Sequence, residues 1–154
     1  MATPRDIRRL ALLALYQIDA RGEPDLETIR DSLADALDVE DDVDGGRFIG
    51  EAVRFSDREY EKAFALASEA WEARRDADRA VAEAAPTWPA HRQAPIDRAI
   101  LRLGYYELTL RAAPAPVVIN ETVELAKVFS AEKSPRFING VLDTLARAIA
   151  GQSA

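Results

Sequence analysis

Apolar residues recur every three or four positions along most of this chain, which is the spacing of one face of an α-helix. The first segment, residues 5–19, reads "RDIRRLALLALYQID". Its apolar stripe consists of Ile7, Leu10, Ala11, Ala14, Leu15 and Ile18. The spacing predicts an amphipathic helix that turns this stripe towards the core of the protein.

The same spacing predicts six further helices and no strand of comparable length. Ser56 is typical of an N-cap, because Glu59 follows three residues later and the two residues can cap each other's backbone. Gly104 lies inside a later helix, where it costs about 1 kcal/mol relative to alanine, so we expect another helix to approach closely there. The six helices are predicted at 24–37, 47–55, 56–85, 96–110, 116–129 and 134–149.

We therefore predict an all-α fold of about seven helices. Residues 85–95, "APTWPAHRQAP", contain three prolines, which remove backbone donors and end a helix. This segment is the predicted junction between two packed helical subdomains, at about residues 1–85 and 95–150.

Charge is distributed unevenly along the 154 residues, whose net charge is −7. Residues 23–62 carry fourteen acidic and five basic side chains, whereas the two ends of the chain are slightly basic. A surface that binds a polyanion must therefore be built from the ends, residues 1–22 and 94–154. The acidic segment either meets a basic partner or contributes only to solubility.

The composition excludes most catalytic sites. The chain has no cysteine and one histidine, His91, so it lacks the parts of a zinc site and of a Ser-His or Cys-His nucleophile. No apolar run approaches the roughly 20 residues of a membrane span. We expect a cytoplasmic protein with no cofactor, no metal and no membrane contact, in which His91 is a surface residue of a loop.

One acidic run partly matches a calcium-binding loop. Residues 40–51 read "EDDVDGGRFIGE", with acidic residues at several of the ligand positions. Position 1 is Glu40 where aspartate is usual, and position 8 is Arg47 where an apolar residue is usual. We expect a solvated acidic turn here and no calcium site.

The far side of the first helix carries Arg5, Arg9, Leu12, Leu13 and Tyr16, with Arg8 at its margin. A secretory signal also starts with basic and then apolar residues, but the sequence that follows at residues 17–19 does not resemble a cleavage site. A helix that is buried on both sides would explain the apolar residues of this face and leave its arginines unexplained. A binding surface is the alternative that includes the arginines.

Three stretches of the chain resemble the NusB family of bacterial transcription antitermination factors. They read "RRLALLALYQ", "APIDRAILRLGYYEL" and "VVINETVELAKVFSAEKSPRFINGVLDTLARAI". The resemblance covers residues 5–19 and 88–149, and it is most specific in the spacing of "INE..ELAK.F..E.S..F.NGVLD". Residues 23–85 match only in their helical pattern.

This resemblance implies a fold of two helical subdomains and no enzymatic activity. NusB-like proteins pair with NusE, a ribosomal protein of the small subunit, and the pair binds the boxA element of nascent RNA. This binding helps RNA polymerase avoid premature termination, notably on ribosomal RNA operons, so RNA polymerase and the other Nus factors are indirect partners. The resemblance therefore implies a transcription antitermination factor with boxA RNA and NusE as its partners.

The resemblance also implies site residues. The positions that match RNA-binding residues are Arg5, Arg8, Arg9, Lys133, Arg136, Phe137 and Asn139. The three arginines of the first helix would contact RNA phosphates, and Phe137 could stack on a base. Tyr16 and Asp97 match positions on the side that meets NusE, where a carboxylate suits a basic ribosomal protein.

Some features depart from the family pattern or have another explanation. Asp6 interrupts an arginine cluster that is usually denser, which would weaken phosphate binding, and Lys133 stands where the family often has an acidic residue. Buried amide hydrogen bonding and close packing explain Asn139 and Gly140 equally well without RNA. Two other classes remain: a NusB-like protein-interaction module with weak or no RNA binding, and the NusB-like half of a ribosomal RNA methyltransferase, whose cofactor-binding domain we expect to be absent here.

Overall fold

The computed structural model describes residues 2–38 and 55–151, and their backbone forms seven α-helices, one 3₁₀ turn at Ala90–Arg92 and no strand. The helices are α1 (Pro4–Arg21), α2 (Leu26–Asp38), α3 (Asp57–Glu72), α4 (Arg74–Ala84), α5 (Pro95–Leu110), α6 (Ala115–Phe129) and α7 (Ser134–Gly151). The predicted all-α class is confirmed. None of the described helices combines the length and apolar content that a membrane span requires. The acidic run 40–51 and most of the helix predicted at 47–55 lie outside the described residues.

The long helix predicted over residues 56–85 is in fact two helices, because the chain leaves helical geometry at Ala73, where ψ is 0°. Arg74 supports the break: its Cζ lies 3.9 Å from the centroid of the Trp71 ring, and its Nη1 donates to the Trp71 carbonyl at 2.9 Å. The surrounding sequence "EARRD" contains no proline or glycine. Hydrophobic spacing therefore gave no sign of the break.

The chain divides into two compact units, Met1–Ser68 and Glu69–Ala154. The division falls inside α3 and not at residues 85–95, where the sequence predicted the junction. That segment belongs to the second unit, where the Gln93 side-chain amide donates to the Trp88 carbonyl at 3.0 Å. The prolines end α4 as expected, but internal hydrogen bonds keep the loop with the helices around it.

In the first unit, α1 packs against α2. The predicted apolar stripe of α1 is buried at every position except Ile7, which is half-buried, and Leu12 on the opposite side is fully buried as well. Tyr16 remains exposed, so α1 is covered on both sides over only part of its length. The predicted capping box opens α3: Ser56 N donates to the Glu59 carboxylate at 2.9 Å, and Glu59 N donates to Ser56 Oγ at 3.2 Å.

In the second unit, α5, α6 and α7 pack against one another, and α4 packs on α5 and α7. The close approach predicted at Gly104 is confirmed. A Cβ placed on Gly104 would lie 3.0 Å from Thr122 Cγ2 of α6 and 3.1 Å from Leu142 Cδ2 of α7. Both neighbours are fully buried, so neither has free space into which it could move.

A partly buried ion pair attaches α4 to α5. Arg102 Nε and Nη2 donate to the two carboxylate oxygens of Asp78 at 2.9 and 2.8 Å, which is the bidentate arrangement that suits a guanidinium. The Arg102 guanidinium also lies 5.6 Å from the Trp71 ring centroid. These contacts hold α4 in place. Residues 84–87, at the C-terminal end of α4, are held in place with it.

We expect Gly104→Ala to lower the free energy of unfolding by about 1 kcal/mol, because overpacking costs about 1–3 kcal/mol and the gain in helix propensity returns only about 1 kcal/mol. Gly104→Val should lower it further. Urea denaturation would measure both variants, with Gly151→Ala as a control, since a Cβ on Gly151 meets nothing within 4 Å. An unchanged or increased stability for Gly104→Ala would contradict the close packing of these three helices.

Candidate nucleic-acid interface

The first turns of α1 bring several of the predicted residues to one side of a helix. At about 100° per residue, Arg5, Arg9 and Tyr16 share this side, and Arg8 lies at its edge. Arg5 is exposed, Arg8 and Arg9 are half-buried, and the Tyr16 side chain is 39% exposed. The positive end of the helix dipole adds to the charge of the arginines. This surface can hold phosphates at its start and contact a partner through Tyr16.

Asp6, which interrupts the arginine cluster, forms the capping box of α1 with the N-cap residue Thr3. Its Oδ2 accepts hydrogen bonds from Thr3 N and Thr3 Oγ1, both at 2.8 Å, and Asp6 N donates to Thr3 Oγ1 at 3.2 Å. The residue is only 9% exposed. The carboxylate therefore begins the helix that carries the arginines, and a capping interaction of this kind contributes about 1 kcal/mol to stability.

A groove in the second unit runs along one face of α7. Its volume is about 610 Å³, and residues 84–87 form the wall opposite the helix. The other wall consists of Lys133, which directly precedes α7, and of Arg136, Phe137, Gly140, Val141 and Thr144 of α7. Three of the predicted RNA-binding residues, Lys133, Arg136 and Phe137, are thus brought together in one groove.

Phe137 presents its ring to this groove. Its side chain is 46% exposed, which is unusual for a residue type that is mostly buried. The Trp88 ring packs against it at a centroid distance of 4.4 Å and an interplanar angle of 88°, a favourable T-shaped pair. Trp88 therefore holds the Phe137 ring in place without covering it, and the exposed side chains of Lys133 and Arg136 lie within about one turn of it.

Asn139 and Gly140 are both exposed, so the explanation by buried amide hydrogen bonds and close packing is wrong. A Cβ on Gly140 would meet nothing within 4 Å. Asn139 does not line the groove, because two residues along a helix correspond to a rotation of about 200° from Phe137. The structure therefore separates Asn139 from the other three α7 candidates.

Asp97 is not exposed to a partner, since only 6% of the residue is accessible. Its carboxylate accepts a short hydrogen bond from the Ser130 hydroxyl and a second one, at 3.2 Å, from the Ser134 hydroxyl. These bonds tie the first turn of α5 to the connection between α6 and α7 and to the first residue of α7. The geometry favours a supporting role for Asp97 over a direct contact.

Sequence reasoning missed Gly140, which lines the groove, and Trp88, whose ring packs against Phe137. The tryptophan was treated only as part of a proline-rich loop, although it is one of two in the chain and large aromatic residues seldom lie in loops without a packing partner. For Gly140 the sequence suggested close packing, and only the three-dimensional structure shows the open space beside this residue.

The described residues contain no group of three or more His, Cys, Asp or Glu side chains placed to hold a metal ion. His91 is exposed in the 3₁₀ turn, as predicted for a surface residue. Nucleic-acid binding by the α7 groove would therefore depend on the aromatic ring, the two cations and backbone groups.

Comparison with known proteins gives a consistent result over nearly the whole chain. Residues 5–147 match the model of the NusB family. The transcription antitermination protein NusB of Symbiobacterium thermophilum is 38% identical over 96% of this chain and 91% of its own length.

Solved structures agree. The structure of T. maritima NusB matches with a TM-score of 0.70 and 30% identity, over 96% of this chain and 93% of that one. A structure of the antitermination factors NusB and NusE in complex with dsRNA matches with a TM-score of 0.70 and 26% identity, over 94% of this chain and 96% of that one. The resemblance found in three stretches of sequence is thus confirmed, and the chain belongs to the NusB family.

Proposed function

We propose that this chain is a transcription antitermination factor that binds boxA RNA together with NusE and supports processive transcription of ribosomal RNA operons in the bacterial cytoplasm. The observation that carries the proposal is the α7 groove, in which the exposed ring of Phe137 lies beside Lys133 and Arg136. The solved complex of related factors NusB and NusE with dsRNA supports the same two ligands.

An exposed aromatic ring beside cations is well suited to unpaired RNA. A base that is not held in a duplex can stack on the ring while its phosphates contact the cations. Such stacking contributes about 1–3 kcal/mol per base, and the arginines of α1 would add sequence-independent phosphate contacts. The two surfaces together would combine selectivity with electrostatic attraction.

A partner is expected because the chain alone has a net charge of −7, which opposes binding to a polyanion. NusE, as a basic ribosomal protein, would offset this charge and extend the RNA-binding surface. Tyr16 is the residue we assign to the contact with NusE, because an exposed tyrosine combines a large apolar area with a polar end. RNA polymerase and the other Nus factors would be engaged indirectly, through this complex.

The direct test is a titration of labelled boxA RNA with the chain, with and without NusE, at two salt concentrations. Scrambled RNA and duplex boxA RNA serve as competitors. We expect NusE to produce tight, boxA-selective binding, and Phe137→Ala to weaken it about tenfold because the stacking contact is lost. Val128→Ala is the matched control, since Val128 is an exposed apolar residue of α6 outside the groove.

If NusE fails to give boxA-selective binding, the chain is a protein-interaction module with weak or no RNA binding. Equal binding of boxA and scrambled RNA would lead to the same conclusion. An unchanged affinity of Phe137→Ala would remove the α7 groove from the RNA-binding site.

Charge reversal on α1 tests the second surface. We expect Arg8→Glu/Arg9→Glu to reduce the slope of log affinity against log salt by about 1.4, because each phosphate contact on a single strand contributes about 0.7. The control Arg75→Glu/Arg79→Glu makes the same change of charge on exposed positions of α4 and should leave the slope nearly unaltered. Equal slopes for the two variants would exclude α1 from the site.

Asp97→Asn tests whether Asp97 acts through α7 or contacts NusE directly. We expect it to lower the free energy of unfolding by about 1–2 kcal/mol and to weaken boxA binding, as the start of α7 loses its anchor. The double variant Ser130→Ala/Ser134→Ala should reproduce both effects. A loss of NusE affinity in Asp97→Asn that the serine variant does not share would instead indicate a direct contact with the partner.

A further inference from the structure

Gly140 occupies a position where a glycine has no structural purpose. It is the seventh residue of the eighteen-residue helix α7, and glycine is among the least favourable residues in a helix interior. Its φ is not positive, since Gly22 is the described glycine with that conformation. A Cβ added to Gly140 would meet nothing within 4 Å. Neither backbone conformation nor packing among the described residues therefore requires glycine here.

Gly104 shows what a structural glycine looks like in the same unit. A Cβ there would lie 3.0–3.3 Å from three side-chain atoms of Thr122 and Leu142. That glycine lets helices approach, whereas Gly140 faces open solvent. No contact among the described residues accounts for the absence of a side chain at Gly140.

The open space at Gly140 belongs to the α7 groove. Positions 136, 137, 140 and 144 lie on one side of α7, and Lys133 directly precedes the helix. Gly140 lies one turn from Phe137 in that groove. The groove volume of about 610 Å³ is within the range of about 300–1,000 Å³ that is typical of small-ligand sites. The Thr144 hydroxyl donates a hydrogen bond to the Gly140 carbonyl at 3.1 Å. The hydroxyl is therefore directed to the helix backbone and does not narrow the groove further beside Gly140.

We infer that Gly140 is a specificity-determining residue, which leaves room beside Phe137 for one unpaired nucleotide of single-stranded RNA to lie against the backbone of α7. This inference rests on the proposed function. A nucleotide fits the chemistry of the groove, because its base can stack on the half-exposed ring while its phosphate reaches Lys133 or Arg136. A methyl group at position 140 would occupy the floor on which the nucleotide lies.

The inference predicts opposite effects on stability and on binding. Gly140→Ala should raise Tm by about 2–4 °C, because alanine is the better helix former and its methyl group meets no other atom of the chain. The same variant should weaken binding of single-stranded boxA RNA in the presence of NusE about tenfold, as expected for overpacking of a fitted site. Gly140→Leu should weaken it further while keeping the helix stable.

Gly151→Ala is the matched control, because Gly151 is an exposed glycine of α7 in open space and outside the groove. It should leave RNA affinity unchanged. Thermal denaturation and RNA titration with single-stranded and duplex boxA RNA, together with a NusE-binding measurement, give the four readouts for each variant. Reduced affinity for single-stranded RNA, with intact NusE binding and a raised Tm, is the expected result.

Unchanged RNA affinity in both Gly140→Ala and Gly140→Leu would overturn the inference. A lower Tm for Gly140→Ala would also overturn it, because it would show that Gly140 has a packing role. Loss of NusE binding in place of RNA binding would assign the groove to the protein partner and also overturn it. Equal losses for single-stranded and duplex RNA would exclude an inserted unpaired base. Failure of the proposed function is distinguishable, because the unsubstituted chain would then show no boxA-selective binding in the presence of NusE.

Discussion

The close approach of α5, α6 and α7 at Gly104 is the constraint on which the second unit depends. Contact of the α5 backbone with Thr122 and Leu142 sets how closely α6 and α7 pack against α5. The apolar face of α7, which includes Ile138, Val141 and Leu142, is then buried. At about 100° per residue, Phe137 lies at the edge of this buried face and Gly140 lies beyond it, so both remain exposed. The geometry of the candidate RNA site thus follows from the packing of the core.

Two glycines of the same unit illustrate how packing and function place different demands on one residue type. Gly104 is required because no side chain fits between the helices, and Gly140 stands where a side chain would fit freely. A residue that lowers stability and makes no compensating contact is expected at positions where function requires it. The half-exposed ring of Phe137, held by Trp88 and not covered by it, follows the same logic.

Acidic residues within the candidate surfaces also have structural uses. Asp6 lies among the arginines of α1, yet its carboxylate is bonded to Thr3 and starts the helix. Asp97 is bonded to two serine hydroxyls and anchors the start of α7. Both carboxylates are largely withdrawn from solvent. Because each carboxylate is hydrogen-bonded within the chain, the two carboxylates repel a bound polyanion less than two exposed carboxylates would.

The sequence by itself determined the all-α class, most helix positions, the capping box at Ser56 and the close approach at Gly104, because hydrophobic period, capping and helix propensity are local properties of the chain. It also contained the family motif, and with it Phe137 as a candidate. Only the tertiary structure decided the break at Ala73, the place where the chain divides, the partners of Asp97 and the open space at Gly140. The break at Ala73 is supported by a contact of Arg74 with Trp71 that hydrophobic spacing does not reveal. The other features depend on how distant parts of the chain pack, as with the 33 and 37 positions that separate Asp97 from its serines, and no local pattern encodes which residues meet.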